Sequence, residues 1–299
     1  MFEGMTVAMV TPFRRGGVDR GGVERLVEHL IQGGTEGIVV SGSTGEAATM
    51  TLEERRSLWQ QVRELTRGRA WVVAGTGTNN TAESIANTRV AEEVGLDGAM
   101  LVTPYYNKPT PAGQIAHFTA VAQSTRLPII LYNVPGRTAT NTMPETLAAM
   151  SRVSNVVAVK EASGSLDQAS QLRIASALTL LSGDDSLTLP MIAVGAEGII
   201  SVAGNAVPRR MRDLTDHARA GRLAESRAIH LTLTPLFKAL FVESNPGPVK
   251  YLLSAMGLIE DELRLPLVPV QPGTRELVRR AAEAVGVSFG TVAAGGSRP

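Results

Sequence analysis

Residues 37–76 read GIVVSGSTGEAATMTLEERRSLWQQVRELTRGRAWVVAGT, and this stretch contains the unit that decides the fold. Two apolar runs, residues 37–42 and 70–76, flank a helical pattern with an apolar face. Thr51 followed by Glu54 is the pattern of a capping box, which predicts where the helix begins. The apolar face of the helix consists of Leu58, Val62 and Leu65. The stretch therefore predicts a strand, a helix and a second strand.

The same unit recurs along the chain. Eight runs rich in Val and Ile are spaced by about one strand plus one helix, and their continuous hydrophobicity is typical of parallel strands covered on both faces. The runs are residues 5–11, 37–42, 70–76, 97–103, 128–133, 156–161, 178–183 and 198–203. Eight such units in about 200 residues predict an α/β fold, a closed (β/α)₈ TIM barrel. Periodicity alone leaves a doubly wound sheet open as the alternative.

Helix boundaries can be predicted at several positions. Residues 18–31 carry an apolar stripe that stops at Gly33. Thr81 is a candidate N-cap for the helix after the third strand, and Gly95 is a candidate C-terminal stop.

The strand pattern stops past Val207, and only helical patterns follow. The predicted helices are residues 208–220, 222–242, 246–256 and 273–285. We therefore expect a catalytic barrel over residues 1–222 and a small C-terminal helical domain over residues 223–286. Residues 287–299 are small and Gly-rich, which predicts a flexible tail.

Composition excludes several classes of function. The chain has 299 residues, of which 43% are hydrophobic, and a formal net charge of +1. It lacks the basic field that would recruit nucleic acid or an anionic membrane, so small molecules are the expected partners. There are no cysteines, and the four histidines have no metal-ligand spacing, which predicts neither thiol chemistry nor a metal site.

The N-terminal residues predict a cytoplasmic location. Glu3 precedes the first apolar run, and Arg14 and Arg15 follow it, which is the reverse of the charge order of a secretory signal. No apolar stretch approaches the ~20 residues needed to cross a bilayer.

Lysine is rare in this chain, which has 25 arginines and only four lysines. Lys160 ends the run VVAVK, so it is expected at the carboxyl end of a barrel strand, where active sites of this fold lie. An amine flanked by an apolar strand loses hydration of its charged form and becomes nucleophilic, as a Schiff base requires. A lysine paired with Glu161 or Asp184 is the alternative, and position alone does not decide between them.

Other polar side chains fall at predicted strand ends. Tyr106 and Tyr132 offer phenols that could move protons, although such tyrosines also simply cap a core. Ser43 and Thr44 lie between glycines in GSTGE (42–46), which suits binding of a carboxylate but also an ordinary turn. Arg137 could bind a second carboxylate through two hydrogen bonds, or lie on the surface.

Six segments in order along the chain resemble the dihydrodipicolinate synthase family, and they span nearly all of it except the tail. They are GSTGE (42–46), TPYYNKPT (103–110), YNVPGRT (132–138), VVAVKEAS (156–163), SGDD (182–185) and GIISVAGN (198–205). The most specific are YYNKPT and VPGRT. GSTGE and the lysine strand are shared with sister pyruvate aldolases such as N-acetylneuraminate lyase.

The resemblance implies condensation of pyruvate with L-aspartate 4-semialdehyde to 4-hydroxy-tetrahydrodipicolinate, in lysine (diaminopimelate) biosynthesis. It implies a Schiff base on Lys160 and a proton relay of Ser43, Tyr132 and Tyr106, with Tyr106 reaching in from a neighbouring subunit. It also implies a homotetramer built from two tight dimers, and no metal or organic cofactor. Ser43 stands where such synthases more often carry threonine.

The resemblance further assigns the substrate contacts. Thr44 would hold the carboxylate of pyruvate and Arg137 that of the semialdehyde, while the backbone around Gly183 and Ile200 would line the pocket. Two alternatives stay open, a sister lyase that cleaves a sugar-derived 2-keto acid and a non-catalytic barrel that binds a keto acid.

Lysine-sensitive relatives bind their effector in a cleft at the dimer interface. The matching positions in this chain are Ala47, Ala48, Leu52, Arg55, Asn79, Glu83 and Tyr105. Leu52 and Arg55 stand where sensitive bacterial enzymes often carry histidine. Leucine offers no hydrogen bond, and arginine repels a ligand with two ammonium groups, so weak or absent inhibition by lysine is expected.

Overall fold

The computed structural model describes residues 1–289, and in it eight parallel strands close into a barrel. The first strand pairs with both the second and the eighth, since Thr6 lies opposite Gly37 on one side and Ile200 on the other. The barrel strands are β1 (Gly4–Ala8), β4 (Gly37–Val40), β5 (Trp71–Gly75), β6 (Gly98–Val102), β7 (Ile129–Asn133), β8 (Val156–Glu161), β9 (Thr179–Ser182) and β10 (Gly198–Ser201). The (β/α)₈ prediction is confirmed, and the doubly wound sheet is excluded.

Helices lie between the strands and after the last one. They are α1 (Arg20–Gln32), α2 (Leu52–Thr66), α3 (Thr81–Glu93), α4 (Pro111–Gln123), α5 (Pro135–Thr138), α6 (Pro144–Met150), α7 (Leu166–Ala175), α8 (Thr188–Ala193), α9 (Pro208–Arg219), α10 (Leu223–Ala239), α11 (Gly247–Ala255) and α12 (Pro272–Ala284). Short 3₁₀ turns cover Ala47–Thr49, Asp185–Leu187 and Ala203–Asn205. No helix within residues 1–289 is long and apolar enough to span a membrane.

The helix boundaries follow local hydrogen-bonding rules. Thr51 and Glu54 form both halves of the predicted capping box at the start of α2. The predicted N-cap of α3 is wrong: Asn80 caps this helix by accepting from two backbone N–H groups, and the Thr81 hydroxyl pairs with His117 instead. Gly95 follows the end of α3 with a φ of +76°, as expected for a helix stop.

A short hairpin before α1 was not predicted. β2 (Phe13–Arg14) and β3 (Gly17–Val18) pair antiparallel, so the helix starts at Arg20 rather than at Val18. Two-residue strands are too short for any periodicity to show in the sequence. The turn between them places Arg15 and Gly16 at positive φ, as tight hairpins require.

The barrel interior is a packed core rather than a pore. Its side chains form one cluster, separate from the larger cluster between the barrel and the helices. The interior cluster consists of Phe2, Ala8, Val39, Val73, Met100, Ile130, Tyr132, Val134, Ala158, Leu181 and Ile200. Because the interior is filled, a ligand site must lie at an end of the barrel.

The four helices after the barrel lie within two or three residues of their predicted bounds and pack on one another and on the barrel. The division into domains at residue 222 stays a prediction; it falls in the turn between α9 and α10. Of the predicted tail, residues 290–299 lie outside the described residues. Phe289 packs against the core and under the Arg279 guanidinium.

Candidate active site

Lys160 lies where the sequence places it, near the carboxyl end of β8. Its partner in the neighbouring strand β7 is Tyr132, so both side chains point to the same side of the sheet. The Lys160 Nζ lies 4.2 Å from the centroid of the Tyr132 ring, and only 4% of the lysine is exposed. The mouth of the barrel thus holds a buried amine against an aromatic face.

Burial lowers the pKa of Lys160 to about 8 because the charged form loses hydration. The ion-pair alternative is not supported. Glu161 points the other way and accepts from Asn133, Ser163 and Gln168. No salt bridge among residues 1–289 includes Lys160.

The carboxylate that acts most on Lys160 is that of Asp185, whose charge partly offsets the fall in the lysine pKa. Asp185 is buried, which raises its own pKa to about 6. Its oxygens accept from the Ser201 hydroxyl and from the backbone N–H groups of Val202 and Ala203. Because these donors engage its oxygens, Asp185 raises the pKa of the Lys160 amine through its charge and does not form an ion pair with it.

A cavity of about 130 Å³ opens in front of the amine. It brings together residues from several strand ends and from the C-terminal helices. Those predicted from the sequence are Ser43, Thr44, Tyr132, Arg137, Lys160 and Gly183, and they are joined by Asp184, Phe241 and Asn245. Its size and mixed lining suit a small polar molecule.

The GSTGE segment forms one wall of the cavity. Thr11, three residues after β1, anchors it, since its hydroxyl donates to the carbonyl of Gly45 at 2.7 Å. Thr44 is buried and accepts a hydrogen bond from Asn245, whereas Ser43 is exposed to the cavity. Two hydroxyls therefore line the same cavity as the Lys160 amine.

Tyr132 is a phenol at neutral pH. Burial raises its pKa to about 12, and the nearby Arg137 guanidinium opposes this only in part. A group with this pKa passes protons along without standing as a resting base. This suits the relay role, but within residues 1–289 Tyr132 and Ser43 form no direct hydrogen bond with each other.

Arg137 lies on the one-turn helix α5 that follows β7, at the rim of the cavity. Its side chain is exposed, and Nη2 donates to the backbone carbonyl of Asn245 at 3.3 Å. The remaining guanidinium donors are available to a carboxylate. Arg137 therefore stands at the entrance, farther out than the buried amine.

Gly183 and Ile200 differ in their placement. Gly183 lines the cavity, and a Cβ there would lie 2.7 Å from the Ala162 Cβ and 3.2 Å from the Lys160 Cε, so a side chain would crowd the amine. Ile200 is buried in the interior cluster and is not one of the lining residues.

Tyr106 is the predicted site residue that this single chain leaves outside the site. It follows β6 with a φ of +72°, and 88% of it is exposed. It lines neither cavity at the barrel mouth. Tyr105, next to it, is less exposed and faces a second cavity.

This second cavity, of about 390 Å³, shares part of its lining with the first and extends to the predicted effector positions. Ala47, Ala48, Arg55 and Tyr105 line it, whereas Leu52, Asn79 and Glu83 do not. Arg55 is 9% exposed, and its Nη2 donates to the Ala47 carbonyl at 2.7 Å. Part of the predicted cleft is therefore present, and Arg55 occupies it.

Sequence reasoning missed the contribution of the C-terminal helices. Asn245 lies between α10 and α11 and contacts Thr44, and Lys250 on α11 pairs with Glu46 at 2.6 Å. Glu46 ends the GSTGE segment, but nothing in its local sequence predicts this partner. Within residues 1–289, no group of three or more His, Asp or Glu side chains is placed to hold a metal ion.

A closed (β/α)₈ barrel with a buried, weakly basic lysine at its catalytic end defines the class: a barrel enzyme with an amine at its active site. The model of the dihydrodipicolinate synthetase family matches residues 1–285. The chain belongs to this family.

Individual relatives agree with the family match. The chain is 48% identical to 4-hydroxy-tetrahydrodipicolinate synthase of Magnetococcus marinus over 94% of this chain and 97% of that protein. It is similar to the crystal structure of dihydrodipicolinate synthase from Aquifex aeolicus, with a TM-score of 0.95 and 42% identity over 96% and 99% of the two chains. A structure described as the first monomeric dihydrodipicolinate synthase variant has a TM-score of 0.95 and 40% identity over 96% and 98%.

Proposed function

We propose that this chain is a lyase that condenses pyruvate with L-aspartate 4-semialdehyde to 4-hydroxy-tetrahydrodipicolinate, in lysine and diaminopimelate biosynthesis. The observation that carries the proposal is Lys160, a buried amine of lowered pKa in a small cavity with Thr44 and Arg137. The relatives at 48% identity carry the name of this activity. Neither the sister lyase nor the non-catalytic barrel has a comparable observation in its favour.

The first chemical step forms an imine between Lys160 and pyruvate. The neutral Nζ attacks the keto carbon, and the keto oxygen leaves as water after it has received protons. With a pKa of about 8, about a tenth of the amine is neutral at pH 7, against roughly one part in 2,500 for an ordinary lysine. The imine then withdraws electrons, so that the methyl carbon can lose a proton and attack the aldehyde. The α-amine of the semialdehyde next attacks the imine carbon, which closes the ring and releases Lys160 as the free amine.

The proton transfers are assigned to the hydroxyls of the relay. Tyr132 lies against the amine and stays protonated, so it can give a proton to the departing oxygen and take one back. Ser43 shares the cavity with it, and its hydroxyl performs the role of the more common threonine. The assignments are supported by the cavity that Ser43 shares with Lys160 and by the contact of the Tyr132 ring with the amine.

We assign the substrate contacts on the same grounds. Thr44 and the turn around it receive the carboxylate of pyruvate beside Lys160. Arg137 at the rim receives the carboxylate of the semialdehyde, which approaches after pyruvate is bound. Gly183 leaves room beside the amine, whereas Ile200 lies in the barrel interior and does not line this cavity.

Substrate assays test the function directly. The purified protein should consume pyruvate only when L-aspartate 4-semialdehyde is added, and should not release pyruvate from N-acetylneuraminate. Release from the sugar acid without condensation would favour the sister lyase. Binding of pyruvate without turnover of either compound would favour the non-catalytic barrel.

We further propose that Tyr106 completes the relay of a neighbouring subunit, within a homotetramer built from two tight dimers. The proposal is supported by the placement of Tyr106, since an aromatic side chain that is 88% exposed, on a backbone of positive φ, buries little of its surface within its own chain. Mixing inactive Tyr106→Phe with inactive Lys160→Ala subunits should restore part of the activity. A fully active monomer would contradict the shared site.

We also propose that lysine inhibits this enzyme weakly or not at all. Arg55 is held in the cleft by its bond to Ala47, and burial lowers its pKa without removing its charge. A cation fixed there opposes a ligand with two ammonium groups. Half-inhibition at sub-millimolar lysine would show the charge argument to be wrong.

We propose that the reaction takes place in the cytoplasm. Cell fractionation followed by assay of the condensation would show activity elsewhere if this placement is wrong.

A further inference from the structure

Two pairs of side chains lie back to back where strands β7 and β8 end. Tyr132 and Lys160 form the inner pair, which lines the cavity at the barrel mouth. The residues that follow them, Asn133 and Glu161, form the outer pair, and the members of each pair lie opposite each other across the two strands. Because side chains alternate along a strand, the outer pair points away from the cavity, toward the surrounding helices. A shift of one pair along the strands therefore also shifts the other.

Side-chain hydrogen bonds join the two members of the outer pair. The Asn133 Nδ2 donates to both oxygens of the Glu161 carboxylate, at 3.2 and 3.1 Å. Glu161 also accepts from the backbone N–H of Ser163 at 2.6 Å and from Gln168 on α7 at 3.1 Å. Asn133 in turn accepts from the backbone N–H of Thr142, shortly before α6, at 2.9 Å. The outer pair thus ties the two strand ends to each other and to the chain around them.

The Glu161 carboxylate is buried without a cation. Only 3% of Glu161 is exposed, and no salt bridge among residues 1–289 includes it. Neutral donors alone stabilise this charge, and burying a charge costs free energy. An apolar pair of similar volume would hold the strands together as well or better. The charge therefore indicates a requirement for directional bonds at a fixed position, which apolar packing does not provide.

The pairing of β7 with β8 needs such a fixed position. The register changes by one residue near the start of the two strands, where Val157 lies between the partners of two consecutive β7 residues. Backbone hydrogen bonds do not specify a register by themselves, since nearly every residue offers the same N–H and C=O groups. A slip by one residue at the barrel mouth would turn the Lys160 side chain from the cavity toward the helices. The bonds between Asn133 and Glu161 form only in the register that places the inner pair opposite each other.

We propose that Asn133 and Glu161 are positioning residues, which hold the Lys160 amine over the Tyr132 ring by fixing the register of β7 and β8 at the barrel mouth. Neither residue lines the cavity, so they act through the inner pair and not on the substrate. The inference rests on the proposed function, because the quantity that the outer pair controls is the rate of the imine step. With the outer pair in place, the amine lies 4.2 Å from the ring centroid and lines the cavity.

The test measures how fast and how completely Lys160 forms the imine. Glu161→Gln keeps the shape of the side chain but places an NH₂ group among hydrogen-bond donors, which weakens the bonds of the outer pair. The rate at which borohydride traps pyruvate on Lys160 at low pyruvate should fall roughly ten- to hundredfold, as expected when a reacting group is displaced by about an ångström. The final yield of adduct should match that of the wild type, because the variant stays folded. A reduced yield at an unchanged rate would show loss of folded protein instead and would overturn the inference.

Asn155→Ala is the matched control for Asn133→Ala. Asn155 lies at the opposite end of the same two strands, where its Nδ2 donates to the backbone carbonyls of Ala122, Thr125 and Leu127. Both variants lose several hydrogen bonds, so both should unfold at lower urea concentration than the wild type. Only Asn133→Ala should slow the imine step. An equal fall in the trapping rate in the two variants would show a general effect of stability and would contradict a positioning role.

The two members of the outer pair should act as a unit. The double variant Asn133→Ala/Glu161→Gln should form the imine about as fast as the slower single variant, whereas effects that multiply would show that the residues act separately. If the single variants do not fold, Glu161→Asp keeps the charge but is too short to reach all of its donors. An unchanged trapping rate in that variant would overturn the inference. Wild-type protein that forms no adduct on Lys160 would instead contradict the proposed function.

Discussion

Two buried lysines in this molecule have opposite surroundings. Lys160, at the barrel mouth, lies over the Tyr132 ring and makes no ion pair within residues 1–289. Lys250, on α11 behind the GSTGE segment, lies over the Phe13 ring at 4.4 Å and donates to the Glu46 carboxylate at 2.6 Å. Both are almost fully buried, so burial alone does not distinguish them.

The difference between the two lies in the carboxylate. Burial lowers the pKa of both amines, but at Lys250 the charge of the paired Glu46 and its hydrogen bond oppose this. Lys160 has only the more distant Asp185, whose oxygens are engaged elsewhere. A buried lysine without an ion-pair partner can therefore act as a nucleophile, whereas a buried lysine paired with a carboxylate stabilises the structure.

The Lys250–Glu46 ion pair supports the GSTGE segment, which forms one wall of the Lys160 cavity. Glu46 adopts a φ of +54°, which an L-residue rarely takes, and it is held there by Lys250 and by the backbone N–H of Arg264. Thr44 lies two residues earlier in the same turn. The ion pair therefore holds the GSTGE segment in the conformation that places Thr44 in the Lys160 cavity.

Activity should separate the two lysines most strongly. Lys160→Met should reduce kcat/KM by at least about 10⁴-fold because the covalent nucleophile is lost. Lys160→Arg should be as inactive, since a guanidinium cannot form the imine. Folded Lys250→Met should lose far less, because Lys250 does not touch the reacting atoms. Steady-state assays that rank the variants in the reverse order would exchange the roles of the two lysines.

For the free energy of unfolding, the order of the two lysines should be reversed, with the larger loss at Lys250. Lys250→Met leaves the Glu46 carboxylate buried without a partner, which should lower the free energy of unfolding by about 3–5 kcal/mol. The double variant Glu46→Gln/Lys250→Met removes both charges and should recover most of the loss. Urea unfolding at matched protein concentration measures both, and equal losses in the single and double variants would show that the pair does not act as a unit.

Lys160→Met should instead stabilise the fold. The folded pKa, about 8, lies below the unfolded value near 10.4, so the fold bears the cost of a buried charge below pH 8. The cost is roughly 3 kcal/mol, and it is relieved as the pH rises from 8 to 10.4 because the folded state releases its proton first. The variant should therefore gain up to this amount at pH 7 and little at about pH 10.5. Unfolding curves with no such pH dependence would mean that the lysine is not desolvated.

The smallest expected effect is the pH dependence of imine formation. The rate at low pyruvate should rise about tenfold between pH 7 and pH 9 and then level off, as the neutral fraction of Lys160 saturates above a pKa of about 8. The measurement is the rate at which borohydride traps the imine, followed from pH 7 to above pH 9. A rate that continues to rise beyond pH 9 would show that the amine has its ordinary pKa.

The sequence predicted the barrel mouth better than the region behind it. Each barrel strand is an apolar run in its own right, and Lys160 belongs to such a run, so local patterns were sufficient. Asn245 and Lys250 reach residues that precede them by 201 and 204 positions, and only tertiary packing makes these contacts. Amphipathic patterns predicted the C-terminal helices but not which of their side chains would meet GSTGE.

Two local misses have different causes. The N-cap of α3 is Asn80 rather than Thr81, because two adjacent residues can cap and the choice was made by the contact of Thr81 with His117 on another helix. The hairpin at Phe13–Val18 is too short for a periodic pattern. Tyr106 was predicted in the site, and its placement there still depends on a neighbouring subunit.

The central claim is that Lys160, and not Lys250, carries the substrate. The direct test is to incubate the protein with pyruvate and borohydride, digest it and locate the modified lysine by mass spectrometry. We predict one reduced three-carbon adduct on Lys160, with Lys108, Lys238 and Lys250 unmodified, and no adduct in Lys160→Arg. Absence of an adduct, or an adduct on any of the other three lysines, would contradict the account.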